Sequence, residues 1–213
     1  MSSSHGRPPD LLQTPLELDP AEWTRAETYD LVTSLVVPRP VAWVSTLSPT
    51  GERNLAPHSY FNLVADCPPH VAFSSIGVKD TLANILATGE FVVNLASQRL
   101  LTALDATGAD VPPEVDEFQL AGLTPAPARC VRAPRVAEAP AHLECVLVQV
   151  VPVANGNVVI GRVVHVHVDP SIWRDRRVAP DLLDPVVRIS RRYGALATTY
   201  TAEEPPSPHV LPA

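Results

Sequence analysis

The chain has 213 residues, 46% of them apolar and 18% charged, with a formal net charge of −7 and an isoelectric point of about 5.4. It carries no basic tract, so nucleic acid and anionic membrane surfaces are poor partners on electrostatic grounds. No apolar run approaches the roughly 18 residues that a membrane span requires. Three widely spaced cysteines without a C-x-x-C pair argue against a disulfide framework or a zinc site.

After Met1 no cationic stretch leads into an apolar run, so a cytoplasmic protein with reduced thiols is expected. The length suits one domain. A loose N-terminal arm over 1–20, a folded domain over 21–200 and a flexible tail over 201–213 are the expected divisions. The low charge content hints that a second subunit covers part of the surface.

Glu27 to Leu35 reads as a short helix leading into Pro38. Val41 to Leu47 reads as a strand, Ser48-Pro49-Thr50-Gly51 as a turn, and Arg53 to Leu55 as the start of the returning strand. Thr46 ends an apolar strand, where its hydroxyl either meets a planar heterocycle or caps the next turn. The string from Asn54 to Asn62 then places Ala56, Pro57, His58, Ser59 and Tyr60 together. Pro57 excludes helix there, because the residue before a proline is pushed out of the α region. A small residue at Ala56 lets the backbone approach a flat ligand, while His58 on its own reads equally as structural.

Val71 to Ser75 is a further strand. Asp80 or Thr81 can cap a helix over Leu82 to Ala87, with Gly89 at its stop. Lys79, the only lysine in the chain, stands directly before it. An ammonium beside a helix N-terminus suits an anion such as phosphate, and Ser74, Ser75, Lys79, Asp80 and Thr81 form a candidate cradle. An ordinary cap and a solvated lysine explain the same residues. Phe91 to Leu95 is a strand, and Ser97 opens a second helix running to Leu104.

Asp110 to Pro127 is mostly loop. Leu143 to Val153 and Val158 to Val168 flank Asn155-Gly156, a strong hairpin signal. His165 and His167 alternate along the second strand and face one side. Two imidazoles can bind a metal, but no third ligand is suggested, so no metal site is assigned. Many strands with few helices point to a mainly β, antiparallel closed barrel. Neither G-x-G-x-x-G nor a Walker A pattern occurs, which removes the dinucleotide-binding folds.

Taken in order, Pro38 to Thr46, Asn54 to Asn62, Pro68-Pro69, Gly77 to Thr81, Phe91 to Leu95, Asp116 to Phe118, Gly122 to Thr124, Leu143 to Cys145 and Ile160 to Asp169 resemble the flavin reductase-like family. The similarity covers Tyr29 to Tyr193. It implies an FMN-binding split β-barrel that forms a homodimer. It also implies NADH or NADPH as the small-molecule electron donor, and a partner monooxygenase or another acceptor. By the same resemblance Ser45, Thr46 and Asn54 to Tyr60 line the isoalloxazine, and Ser75, Lys79, Asp80 and Thr81 surround the phosphate. Glu144 is a barrel residue, and no side chain is assigned as acid or base. The family's glycine-rich turn before a tyrosine is replaced by Ser190-Arg191 ahead of Tyr193. That departure leaves three readings in play: a flavin reductase, an FMN electron carrier without its own NAD(P)H oxidase activity, and a barrel that has lost FMN.

Overall fold

The computed structural model describes residues 15–196. Most of the arm expected over 1–20, and all of the tail expected over 201–213, lie outside the described residues. The first long element is α1 (Arg25–Leu35). Its start is set by Thr24, whose hydroxyl accepts from the Glu27 N–H while the Glu27 carboxylate accepts from the Thr24 N–H. This reciprocal capping moves the helix two residues ahead of the expected Glu27.

Seven antiparallel strands make the main sheet: β1 (Ala42–Leu47), β2 (Arg53–His58), β3 (Phe61–Asp66), β4 (Pro69–Ile76), β5 (Glu90–Leu95), β6 (Ala141–Val153) and β7 (Gly156–Val168). Their spatial order is β2-β1-β5-β6-β7-β4-β3. The sheet curls so that β2 comes back towards β4 without a hydrogen-bonded ladder between them, and the His58 and Phe73 rings meet across the gap at 4.6 Å. The barrel is therefore split on the side where Asn54 to Tyr60 runs.

Alternation along β1 explains the two layers of core. Ala42 and Val44 point inward with Phe73, Phe91, Val93, Val159 and Val163, whereas Val41 and Trp43 pack outward against Leu55, Leu104 and Phe118. Both faces of β1 are thus buried. Gly161 on β7 is required by packing, because a Cβ there would lie 2.4 Å from Cζ of the buried Phe91.

The helix α2 (Asp80–Thr88) buries Leu82 and Ile85 in the inner core and ends on Gly89, which adopts φ 74° as a left-handed cap. Two further short helices, α3 (Leu101–Ala106) and α4 (Glu117–Leu120), cover the outer layer. The terminal hairpin β8 (Val187–Ile189) and β9 (Arg192–Gly194) pairs with Arg39–Pro40.

Four local expectations change. Lys79 takes the N-cap position of α2 with no side-chain cap bond, and Thr81 instead receives the Asn54 amide. Ser97 likewise makes no cap bond, and the chain there forms a 3-10 turn over Gln98–Leu100 before α3. The β6–β7 turn is Ala154-Asn155, because Gly156 is drawn into the ladder opposite Val153 and Ile76. Finally, the returning strand expected from Arg53 runs on to His58, beyond the Leu55 read from the sequence. Pro57 sits in edge strand β2, where its missing N–H is tolerated.

Candidate functional site

The split between β2 and β4 opens into a cleft of about 470 Å³. Asn54, Ala56, Pro57, His58, Ser59 and Tyr60 line one wall, and Ser74, Ser75, Lys79, Asp80 and Thr81 the other. The remaining edge is Tyr29 of α1, residues Thr107 to Val111 with Pro113, and Glu117 of α4. Residues remote in sequence thus meet because the curled sheet brings β2 beside the β4–α2 junction.

Ser45 and Thr46 lie outside this lining. Both are wholly buried. Ser45 donates to the Pro134 carbonyl and accepts from Asn94. Thr46 accepts from the amides of Asn54 and Asn84 at 3.1 and 3.0 Å. Asn54 also donates to Thr81 Oγ1 at 3.0 Å, so Thr46 fixes a cleft residue that in turn ties β2 to the first turn of α2.

One end of the cleft combines the start of α2 with Lys79, Asp80 and Asp110. The first N–H groups of a helix have no intrahelical partner, and Lys79 supplies no side-chain acceptor to occupy them. Lys79 is the N-cap residue itself, and its largely exposed ammonium has Asp110 Oδ1 at 3.2 Å as its partner. Asp80 opposes a bound anion at the same end, so the donors are not uniformly matched to negative charge.

The middle of the cleft holds a neutral imidazole. Burial pushes the His58 pKa down to about 4, aided by the nearby Lys79 charge and opposed by a hydrogen bond with the Ser74 backbone. Its Nε2 is buried without a hydrogen-bond partner. Such an orphaned group in a cleft wall is costly unless a ligand satisfies it. At the β2 edge, Glu117 accepts from the Leu55 N–H at 3.1 Å, and burial raises its pKa.

A second cavity of about 310 Å³ adjoins the first and shares Tyr29, Pro57, Ser59 and Gly108 with it. Arg188 and Tyr193 from the terminal hairpin line it, with the guanidinium 4.2 Å from the Tyr193 ring centre. Arg191 lines neither cavity. It pairs with Asp30 at 2.5 Å and lies 5.3 Å from the ring centre of Tyr29. The buried Arg39 donates to the Thr33, Val36 and Ser190 carbonyls, tying the same turn to the end of α1. Ser190 adopts φ 51°, the left-handed conformation that glycine occupies more readily.

Tyr29, the Thr107 to Val111 segment and Glu117 were not legible as cleft residues in the sequence. Tyr29 lay in an ordinary short helix, and Glu117 in a loop of prolines and acids with no periodicity. The Trp43 indole locks the Thr107 to Val111 segment by donating to Thr107 Oγ1 at 2.8 Å.

Residues 34–196 match the model of the flavin reductase like domain. An uncharacterized Aquifex aeolicus protein is 42% identical over 171 residues, covering 78% of this chain and 87% of its own. Among solved structures, nitrilotriacetate monooxygenase component B from Bacillus cereus superposes with a TM-score of 0.86 at 34% identity, covering 89% of this chain and 100% of its own. Pseudomonas fluorescens 2-nitrobenzoate 2-nitroreductase gives a TM-score of 0.83 at 28% identity, covering 93% and 99%. The described residues contain no helix long and apolar enough to cross a membrane. With its split antiparallel barrel and lined cleft, the chain belongs to the flavin reductase-like family of flavin oxidoreductases.

Proposed function

We propose that the cleft holds FMN and that the protein is an NADH- or NADPH-dependent reductase supplying a partner oxygenase or another acceptor. The observation that carries this reading is the uncapped α2 N-terminus, with Lys79, in the same cleft as the unpartnered His58 Nε2. The donor set fits the group: helix N–H groups and an ammonium for the phosphate, and a neutral imidazole with the Asn54 to Tyr60 wall for the ring system. Bound flavin supplies the hydride and electron chemistry. The protein's own residues bind it, orient it and shape the approach to it.

The adjoining cavity with Arg188 offers the donor nucleotide a place beside the cleft and a cation for its phosphate. Similarity to a monooxygenase component supports an oxygenase as recipient. The single domain over 21–200 is read as a homodimer. Leu35, Val36 and Val37 near the end of α1, and Leu63 and Val64 on edge strand β3, are large apolar groups left exposed. Cys67, Cys130 and Cys145 are all unpaired, in keeping with the cytoplasm.

A second reading is favoured by the Ser190-Arg191 turn, which fastens Tyr29 over both cavities: an FMN carrier that accepts no electrons directly from pyridine nucleotides. Anaerobic addition of NADH and of NADPH to FMN-loaded protein separates the two. Bleaching of the visible flavin absorption by one or both donors supports the reductase. An unchanged spectrum with both, alongside full bleaching by dithionite, selects the carrier.

A further inference from the structure

On the barrel wall away from the cleft, β6 and β7 place four side chains in a cross-strand square. Glu144 stands opposite His165, and His142 opposite His167. The His165 and His167 ring centres are 4.7 Å apart, and those of His142 and His167 are 5.9 Å apart. One ligand atom from each of Glu144, His165 and His167 lies within 4.8 Å of the other two. None of the three lines the cleft.

We propose that Glu144, His165 and His167 form a site for one divalent transition-metal ion of the zinc class. Two imidazoles and a carboxylate are a donor set that Zn²⁺ accepts, with a fourth position left for water. With bonds of roughly 2 Å, tetrahedral ligand atoms stand roughly 3.3 Å apart, so the wider pairs must close and the 2.5 Å His167–Glu144 pair must open to admit the ion. His165 and His167 are half-buried and open a path from solvent, while Glu144 anchors the base of the site. His167 Nε2 and Glu144 Oε1 meet at 2.5 Å, in the space the ion would take.

The surroundings prepare the carboxylate for ligation. The N–H groups of Arg129, Cys130 and Val131 donate to it at 2.7, 2.5 and 3.2 Å, fixing its orientation as outer-shell donors do around metal ligands. Behind the three ligands, His142 gives Nε2 to the Val136 carbonyl and leaves Nδ1 buried without a partner. Arg135 is the nearby cation that works against the ion. The competing role is purely structural: Glu144 and His167 as a clamp on residues 129–131 that never takes up metal.

The test uses full-length protein purified without an affinity tag and stripped with chelator, titrated calorimetrically with Zn²⁺ near pH 7.5. One ion per chain is expected. His165→Asn and His167→Gln should each weaken Zn²⁺ by at least about tenfold, since second-shell losses alone reach 10–100-fold. His165 makes no hydrogen bond to the clamp, so its variant keeps the fold and carries the decision. Co²⁺ should also give the visible bands of tetrahedral coordination in the native protein and lose them in His165→Asn. No Zn²⁺ uptake, or uptake unchanged by both substitutions, overturns the site.

Discussion

At the scale of single residues, the cleft works through two groups whose states the fold sets. Lys79 is a cation next to uncapped helix N–H groups, and only the phosphate of FMN distinguishes that ligand from riboflavin. Lys79→Ala should therefore weaken FMN about tenfold or somewhat less, because the side chain is largely exposed and shared with Asp110, while riboflavin affinity stays near native. Fluorescence titration of both ligands checks this, and equal losses would remove Lys79 from the phosphate end. His58 makes a prediction about stability. Its folded pKa of about 4 lies below the ordinary 6.5, so the unfolded chain takes up the proton first as pH falls. Its contribution is complete above about pH 6.5 and is lost towards pH 4, amounting to about 2 kcal/mol by pH 5. Urea unfolding of flavin-free protein at pH 7 and pH 5 should show a smaller pH-dependent loss in His58→Gln than in the native chain. Equal losses would mean that His58 is not buried neutral. The sequence named His58 and Lys79 but misplaced Ser45 and Thr46, since a hydroxyl at a strand end reads alike whether it faces a ligand or the core.

Among the elements, α1 matters beyond its own packing. Arg191 and Arg39 fasten it to the β8–β9 turn and thereby hold Tyr29 at the edge shared by the two cavities. The sequence marked Ser190-Arg191 as the departure from the family's glycine-rich turn. Arg191 pairs with Asp30 and lines neither cavity, so an effect of this turn on the cleft passes through Tyr29. Replacing Ser190 and Arg191 together by glycine should raise the rate of flavin bleaching by NADH or NADPH and leave FMN affinity within about twofold. Asp30→Ala should shift the rate the same way, because the exposed pair is weak yet is one of the tethers on Tyr29. Stopped-flow absorbance reads both variants. A slower rate with a raised donor KM would show that Arg191 binds the donor, and no change would detach the turn from the site. Helix and strand positions were largely legible because caps and alternation are local signals. Strand β3 was not, since its apolar side chains are exposed and its pattern lacks a buried face.

For the whole molecule, the order of the strands decides where function sits. The sequence could suggest a barrel from its many short strands, but not that β2 and β4 would face each other unpaired. That gap depends on long-range pairing: β4 is held by β7, and β2 by β1, so the curl of the entire sheet sets the width of the cleft. For the same reason Tyr29, Thr107 and Glu117 entered the site only once the fold was known, and Glu144 joined His165 and His167 only through the β6–β7 register. The family resemblance read from the sequence carried further than any single motif because it covers nearly every strand at once, as the match over residues 34–196 shows. What depends on this chain alone is whether its cleft, with Asp80 and Asp110 beside Lys79, still holds FMN. Titration of the flavin-free, full-length protein with FMN, followed by fluorescence quenching and the shift of the visible absorption bands, measures it directly. The account predicts saturation at one flavin per chain with micromolar or tighter affinity; an absence of saturable binding in that range would contradict it.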